Sequence, residues 1–181
     1  MNWIILAAVV LILAGGFTFY YYRPKKQKRT ESIYTHALNA MVRGDTRTAL
    51  NHLRDVVKQD TNHINAYLQM GDILREEGHT QAAVKIHQSL TVRPNLSNDI
   101  RRDIHQSLAL DFEQMDYLNK ARREAELVLK LDRKNLWANH FLLKIFENQR
   151  EWDKATQITK SIQKLKQSQD PNQIARFLVY Q

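Results

Sequence analysis

AMVRGDTRTALNHLRDVVKQDTN, residues 40–62, decides the fold when it is laid beneath DILREEGHTQAAVKIHQSLTVRPN, residues 72–95. Gly44 then falls under Gly78 and Ala49 under Ala83, both 34 residues apart. The spacing returns downstream, where Ala121 in NKARREAELVLKLDRKN (119–135) and Ala155 in DKATQITKSIQKL (153–165) are again 34 apart. Between Ala83 and Ala121 the step is 38, so four extra residues separate the second unit from the third. The Pro-Asn-rich stretch RPNLSND (93–99) is expected to hold them as a loop.

A period of 34 predicts a helix–turn–helix repeat, and the residue types match the tetratricopeptide pattern. In the second unit, counted from Ile64, the landmarks are Tyr67, Met70, Gly71, Leu74, Gly78, Ala83 and Pro94. Unit one offers Ile33, Ala37, Ala40, Gly44, Ala49, Leu53 and Val56; unit three offers Leu108, Ala109, Phe112, Ala121, Ala125 and Val128. Unit four is weaker, with Leu142, Leu143, Phe146, Ala155 and Ile162. Antiparallel helices approach closely only where one presents Gly or Ala, and large neighbours fill the grooves beside that point. The expected fold is all-α: a tetratricopeptide solenoid of about four units over 30–181, preceded by a transmembrane helix. PNQIARFLVYQ (171–181) reads as the start of one more helix. It is too short for a hairpin, which suggests a chain cut short or a helix completed by a partner.

The pentapeptide IHQSL occurs at 86–90 and again at 104–108, but the copies are out of phase with the 34-residue frame. His87 falls on a second helix and His105 on a first helix, both at places usually held by a large residue. Both are expected to be packing histidines. The other five histidines show no metal-ligand spacing.

Bulk composition agrees with helices. Gly (5) and Pro (3) are scarce in the 181 residues, so few tight turns are available. There is no cysteine, which excludes disulfides, thiolate metal sites and cysteine nucleophiles. No Gly-rich phosphate loop and no GxSxG is present. The chain therefore reads as a binding protein, not an enzyme, with no cofactor.

Residues 3–22, WIILAAVVLILAGGFTFYYY, carry no charge. As a helix they span about 30 Å, the thickness of a bilayer's hydrocarbon core. Trp3 and Tyr20–Tyr22 stand where interfacial aromatics stand. A signal peptide carries its cations first; here Arg23, Lys25, Lys26, Lys28 and Arg29 follow the span. The expectation is a single-pass anchor over 1–22, a basic juxtamembrane segment over 23–29, and a cytoplasmic repeat region. These five cations supply most of the net charge of +8. The basic character is thus topological, and nucleic acid is not an expected partner.

In repeats of this class the first helices line a concave face, chiefly through positions 2, 5, 9, 12 and 13. Carried onto this chain, those positions hold Tyr34, Leu38 and Met41, then Leu68, Asp72, Arg75 and Glu76. Gln106, Leu110, Glu113 and Gln114 follow, then Trp137, His140, Lys144 and Glu147. A mixed-charge groove with aromatic ends suits a protein segment. The bland alternative at each position is a solvated face.

An N-terminal span running directly into repeats, with AAVKIHQSLTVRPNLSNDIRRD (82–103) and LALDFEQMDYLNKAR (108–122), resembles the lipopolysaccharide assembly protein B (LapB) family. Members carry an RIHQ…L…RP.L stretch leading into a helix that ends LG.DY…G..DRAE. The resemblance implies a bacterial inner-membrane adaptor that balances lipopolysaccharide synthesis by connecting the deacetylase LpxC with the protease FtsH. Family members continue to a module with two Cys-x-x-Cys pairs, which this sequence lacks. Two other readings stay open: an assembly chaperone for another envelope complex (secretion, pilus or cytochrome maturation), and an RNA-binding helical repeat. Mixed charge in the groove disfavours the second.

Overall fold

The computed structural model describes residues 2–169, and every regular element among them is an α-helix. The chain divides into two compact units, residues 1–73 and 74–181. The stretch 171–181, expected to begin a further helix, lies outside the described residues.

The first unit is built on α1 (Asn2–Val42), a continuous helix of 41 residues. The span and basic segment expected from sequence therefore share one helix with the first half of the first repeat. Its C-terminal part packs on α2 (Thr46–Gln59). Ala37 and Ala40 of α1 meet the level of Ala49, Leu53 and Val56 of α2, all with no solvent exposure. The alanines allow the close approach, and the larger side chains fill the space beside it. The third helix, α3 (Ile64–Glu76), begins in this unit. Toward the N-terminus, every described side chain from Trp3 to Phe19 is exposed, including Leu11 at 74% and Ile12 at 73%. Among the described residues, which leave out the side chains at 4, 6 and 20–28 of α1, no helix is long and apolar enough to cross a membrane.

The second unit holds α4 (Thr80–Thr91), α5 (Asn98–Gln114), α6 (Leu118–Leu131), α7 (Leu136–Asn148) and α8 (Trp152–Gln169). Its interior comprises Ala83 and Leu90 of α4, Ile104, Leu108 and Phe112 of α5, and Ala121, Ala125 and Val128 of α6. Phe141, Leu142, Ile145 and Phe146 of α7 continue it. The fourth repeat, weak by sequence, has a full apolar face on α7.

All four helix–turn–helix units close with one geometry. Gly44, Gly78, Asp116 and Arg150 have positive φ, between 57° and 83°. Each turn makes the same pair of backbone hydrogen bonds. In the first, Gly44 N–H donates to Met41 and Asp45 N–H to Ala40; in the last, Arg150 N–H donates to Glu147 and Glu151 N–H to Phe146. This is a Schellman closure, which satisfies helix-end carbonyls through one left-handed residue. The first helices α3, α5 and α7 start from side-chain caps. His63 Nδ1 accepts from Ala66 N–H, Ser97 from Ile100 N–H and Asn135 from Ala138 N–H.

The four extra residues do not sit where the sequence suggested. From the start of a second helix to the next first helix is 18 residues in every case: Thr46 to Ile64, Thr80 to Asn98, Leu118 to Leu136. The difference lies inside a first helix, since α5 has 17 residues whereas α3 and α7 have 13 each. Residues 92–97 do form a loop, but only because α4 stops early. Four residues are close to one helical turn, so the added turn keeps the apolar stripe of α5 on the core side.

Candidate protein-binding groove

Within the second unit, side chains from three first helices converge on an open groove of about 470 Å³. Arg75 comes from α3, Leu110, Glu113 and Gln114 from α5, and Lys144 and Asn148 from α7, with Asp116 and Leu118 closing the turn end. Five of the positions assigned to a concave face from sequence thus line one surface: Arg75, Leu110, Glu113, Gln114 and Lys144. Lys144 Nζ lies 2.8 Å from Glu113 Oε1 across the groove, and the lysine remains largely exposed.

Beneath the groove is a buried polar network that the sequence did not announce. Asp111, on the same helix as Leu110 and Glu113, has no solvent exposure. Its Oδ1 accepts from Arg75 Nη1 at 3.1 Å, and its Oδ2 is 2.6 Å from Nδ1 of His87, which is also fully buried. The repeat frame points Arg75 at solvent, but its side chain is only 13% exposed because it is drawn down onto this carboxylate. A buried carboxylate is tolerated only when paired, and the arginine and histidine provide that pairing. Leu108, Ala109 and Phe112 share this buried face of α5 and could have signalled it: an aspartate among core positions needs partners. A His–Asp pair resembles acid–base machinery, yet with both groups sealed from solvent it cannot meet a substrate. His87 is thus the packing residue its frame position implied. His105 is part-buried and pairs with Glu124 of α6 at 2.7 Å.

The remaining assigned positions are less gathered. Gln106 is half-buried on α5, and His140 and Glu147 are exposed on α7. Trp137 is half-buried and stacks on Phe141, with centroids 5.0 Å apart. Glu76 is exposed at the end of α3. In the first unit, Tyr34 packs its ring 4.5 Å from that of His63. Burial, reinforced by Glu31, raises the pKa of its phenol. Leu38 is exposed, Met41 and Asp72 are half-buried, and Leu68 is buried. Leu68 is therefore a core residue rather than a groove residue. The orientation residues Arg23, Lys25, Lys26 and Lys28 lie where no side chain is described, and Arg29 is exposed. Among the described residues, no three metal-ligating side chains come together.

Hairpins of this length, closed by these turns and presenting first helices to a common groove, define a tetratricopeptide fold. Solved structures agree. MamA from Desulfovibrio magneticus RS-1 superposes with a TM-score of 0.68 at 18% identity, covering 78% of this chain and 77% of that one. YrrB, described as a TPR protein with an unusual peptide-binding site, gives 0.60 at 14% identity, covering 81% and 75%. No protein-family model matches the chain. In sequence, the chain is similar to lipopolysaccharide assembly protein B of Escherichia coli K12, with 25% identity over 144 residues. The protein of that name from Haemophilus influenzae is 25% identical over 153 residues. These matches cover 80% and 79% of this chain but only 37% and 38% of the relatives, so the chain spans little more than a third of their length.

Proposed function

We propose that this chain is a membrane-anchored, cytoplasm-facing tetratricopeptide adaptor that acts in lipopolysaccharide assembly by holding protein partners, LpxC and FtsH, at the inner membrane. The groove on α3, α5 and α7 carries this reading: three first helices present both charge signs and apolar surface around one opening. Solenoid repeats use such concave surfaces for extended protein segments. The similarity to lipopolysaccharide assembly protein B supports the pathway. The uncharged 3–22 run with five cations behind it supports the anchor, as does the exposure of its described side chains. An anchor adds effective concentration, because partners confined to the same surface meet without a three-dimensional search.

The test is capture from native membranes with the full chain. Lys144→Glu reverses an exposed groove charge and sets it against Glu113 while leaving the core untouched. LpxC and FtsH should be recovered with the parent chain, and recovery should fall about tenfold with the variant, for a loss of about 1.4 kcal/mol. Recovery unchanged by the variant would move the binding face elsewhere. Recovery of a different envelope assembly would replace the proposed partners.

A further inference from the structure

We propose that α1 is one rigid stalk that stands the first hairpin end-on against the bilayer, with the α2–α3 turn (residues 60–63) turned toward the lipid headgroups. The inference rests on the anchor reading above and adds the geometry. The sequence alone allows a flexible joint between span and repeats, since composition changes sharply at Arg23 and again at Thr30. The structure has no joint there: α1 runs unbroken from Asn2 to Val42.

Distances follow from helical rise. Tyr22 ends the apolar run and Thr30 is the first of the described side chains to be buried, so the described core begins about 12 Å beyond the hydrocarbon edge. A headgroup layer takes up about 5–8 Å of that interval. The hairpin core therefore begins almost at the lipid surface. The turn at Gly44 lies about 33 Å from the same edge. From it α2 runs back down, as the neighbouring rings of His36 and His52 (6.0 Å) and of Tyr34 and His63 (4.5 Å) record. The end of α2 and the turn after it thus return to within about 12–18 Å of the hydrocarbon edge. A tilt of about 20° shortens these heights by only a few per cent. A membrane surface is thus the partner of the 60–63 end, and the 43–45 end is held clear of it.

The chain has no cysteine, so single labels can be placed cleanly. Asn62→Cys and Arg43→Cys, both at exposed positions, are labelled with a fluorophore in the full chain. The labelled chains are reconstituted into vesicles containing a lipid with a nitroxide on its headgroup. Quenching should be at least about twice as strong at 62 as at 43, because the two sites differ in height by about 15 Å. Inserting Gly-Gly-Ser-Gly-Gly between Arg29 and Thr30 should abolish the difference. Equal quenching at both sites in the parent chain, with the protein bound to vesicles, would overturn the stalk while sparing the anchor. A chain that fails to co-sediment with vesicles overturns both.

Discussion

Asp111 Oδ2 and His87 Nδ1 lie 2.6 Å apart with no solvent exposure on either side chain, 24 residues distant in sequence. Together with Arg75 they join α3, α4 and α5 through one carboxylate. Removing that carboxylate takes away the acceptor that Arg75 and His87 share in the interior. Asp111→Ala should therefore cost about 3–5 kcal/mol. Denaturant unfolding of the full chain in detergent, followed by circular dichroism, reads the loss. A cost under about 1 kcal/mol would mean that water replaces the pairing.

The four positive-φ turn residues are not equivalent. Gly78 has φ +83°, and a Cβ added there would meet no atom within 4 Å, so Gly78→Ala carries only a conformational penalty, about 1 kcal/mol. Arg150 holds the same conformation with a side chain, at φ 57°. Arg150→Gly should raise stability by about 0.5–1 kcal/mol, the relief of left-handed strain less the added backbone freedom. Melting midpoints moving in opposite directions for the two variants would bear this out; a drop for both would not.

Asp45 caps α2: its side chain accepts from Thr48 N–H at 3.1 Å. Side-chain and backbone hydrogen bonding to Thr48 lower the pKa of its carboxyl. A depressed folded pKa means that the contribution is fully present above the unfolded value of about 3.9, and it disappears as pH falls through the folded value. Asp45→Ala should lower the melting midpoint at pH 7, and the gap between parent and variant should close as pH drops below about 4. A gap independent of pH would assign the effect to something other than the ionised cap.

Topology is tested separately from partners. A reporter fused after Gln181 should be active only in the cytoplasm, because Arg23, Lys25, Lys26, Lys28 and Arg29 follow the apolar run. Activity on the opposite side of the membrane would remove cytoplasmic enzymes from the partner set.

Periodicity made the hairpins legible because a close-approach alanine has no substitute: Ala49, Ala83 and Ala121 are fully buried and Ala155 nearly so. The same logic could not find Asp111, whose partners lie 24 and 36 residues away and follow no repeat spacing. Nor could it find the turns at Asp116 and Arg150, where packing of the flanking helices imposes a left-handed residue that glycine would ordinarily advertise. Five groove positions were legible as a set on their helices. Whether a given side chain is free for a partner depends on what lies under it, and Arg75 shows the difference.

The longer α5 bears on how such a chain can change over generations. A single inserted residue in a first helix would rotate everything beyond it by about 100° and turn the buried stripe toward water. Four inserted residues rotate it by only about 40° net. Insertions and deletions within these helices are therefore filtered by phase, with steps of about three, four or seven surviving and steps of about one, two or five lost. The 38-residue interval between Ala83 and Ala121 is one such survivor.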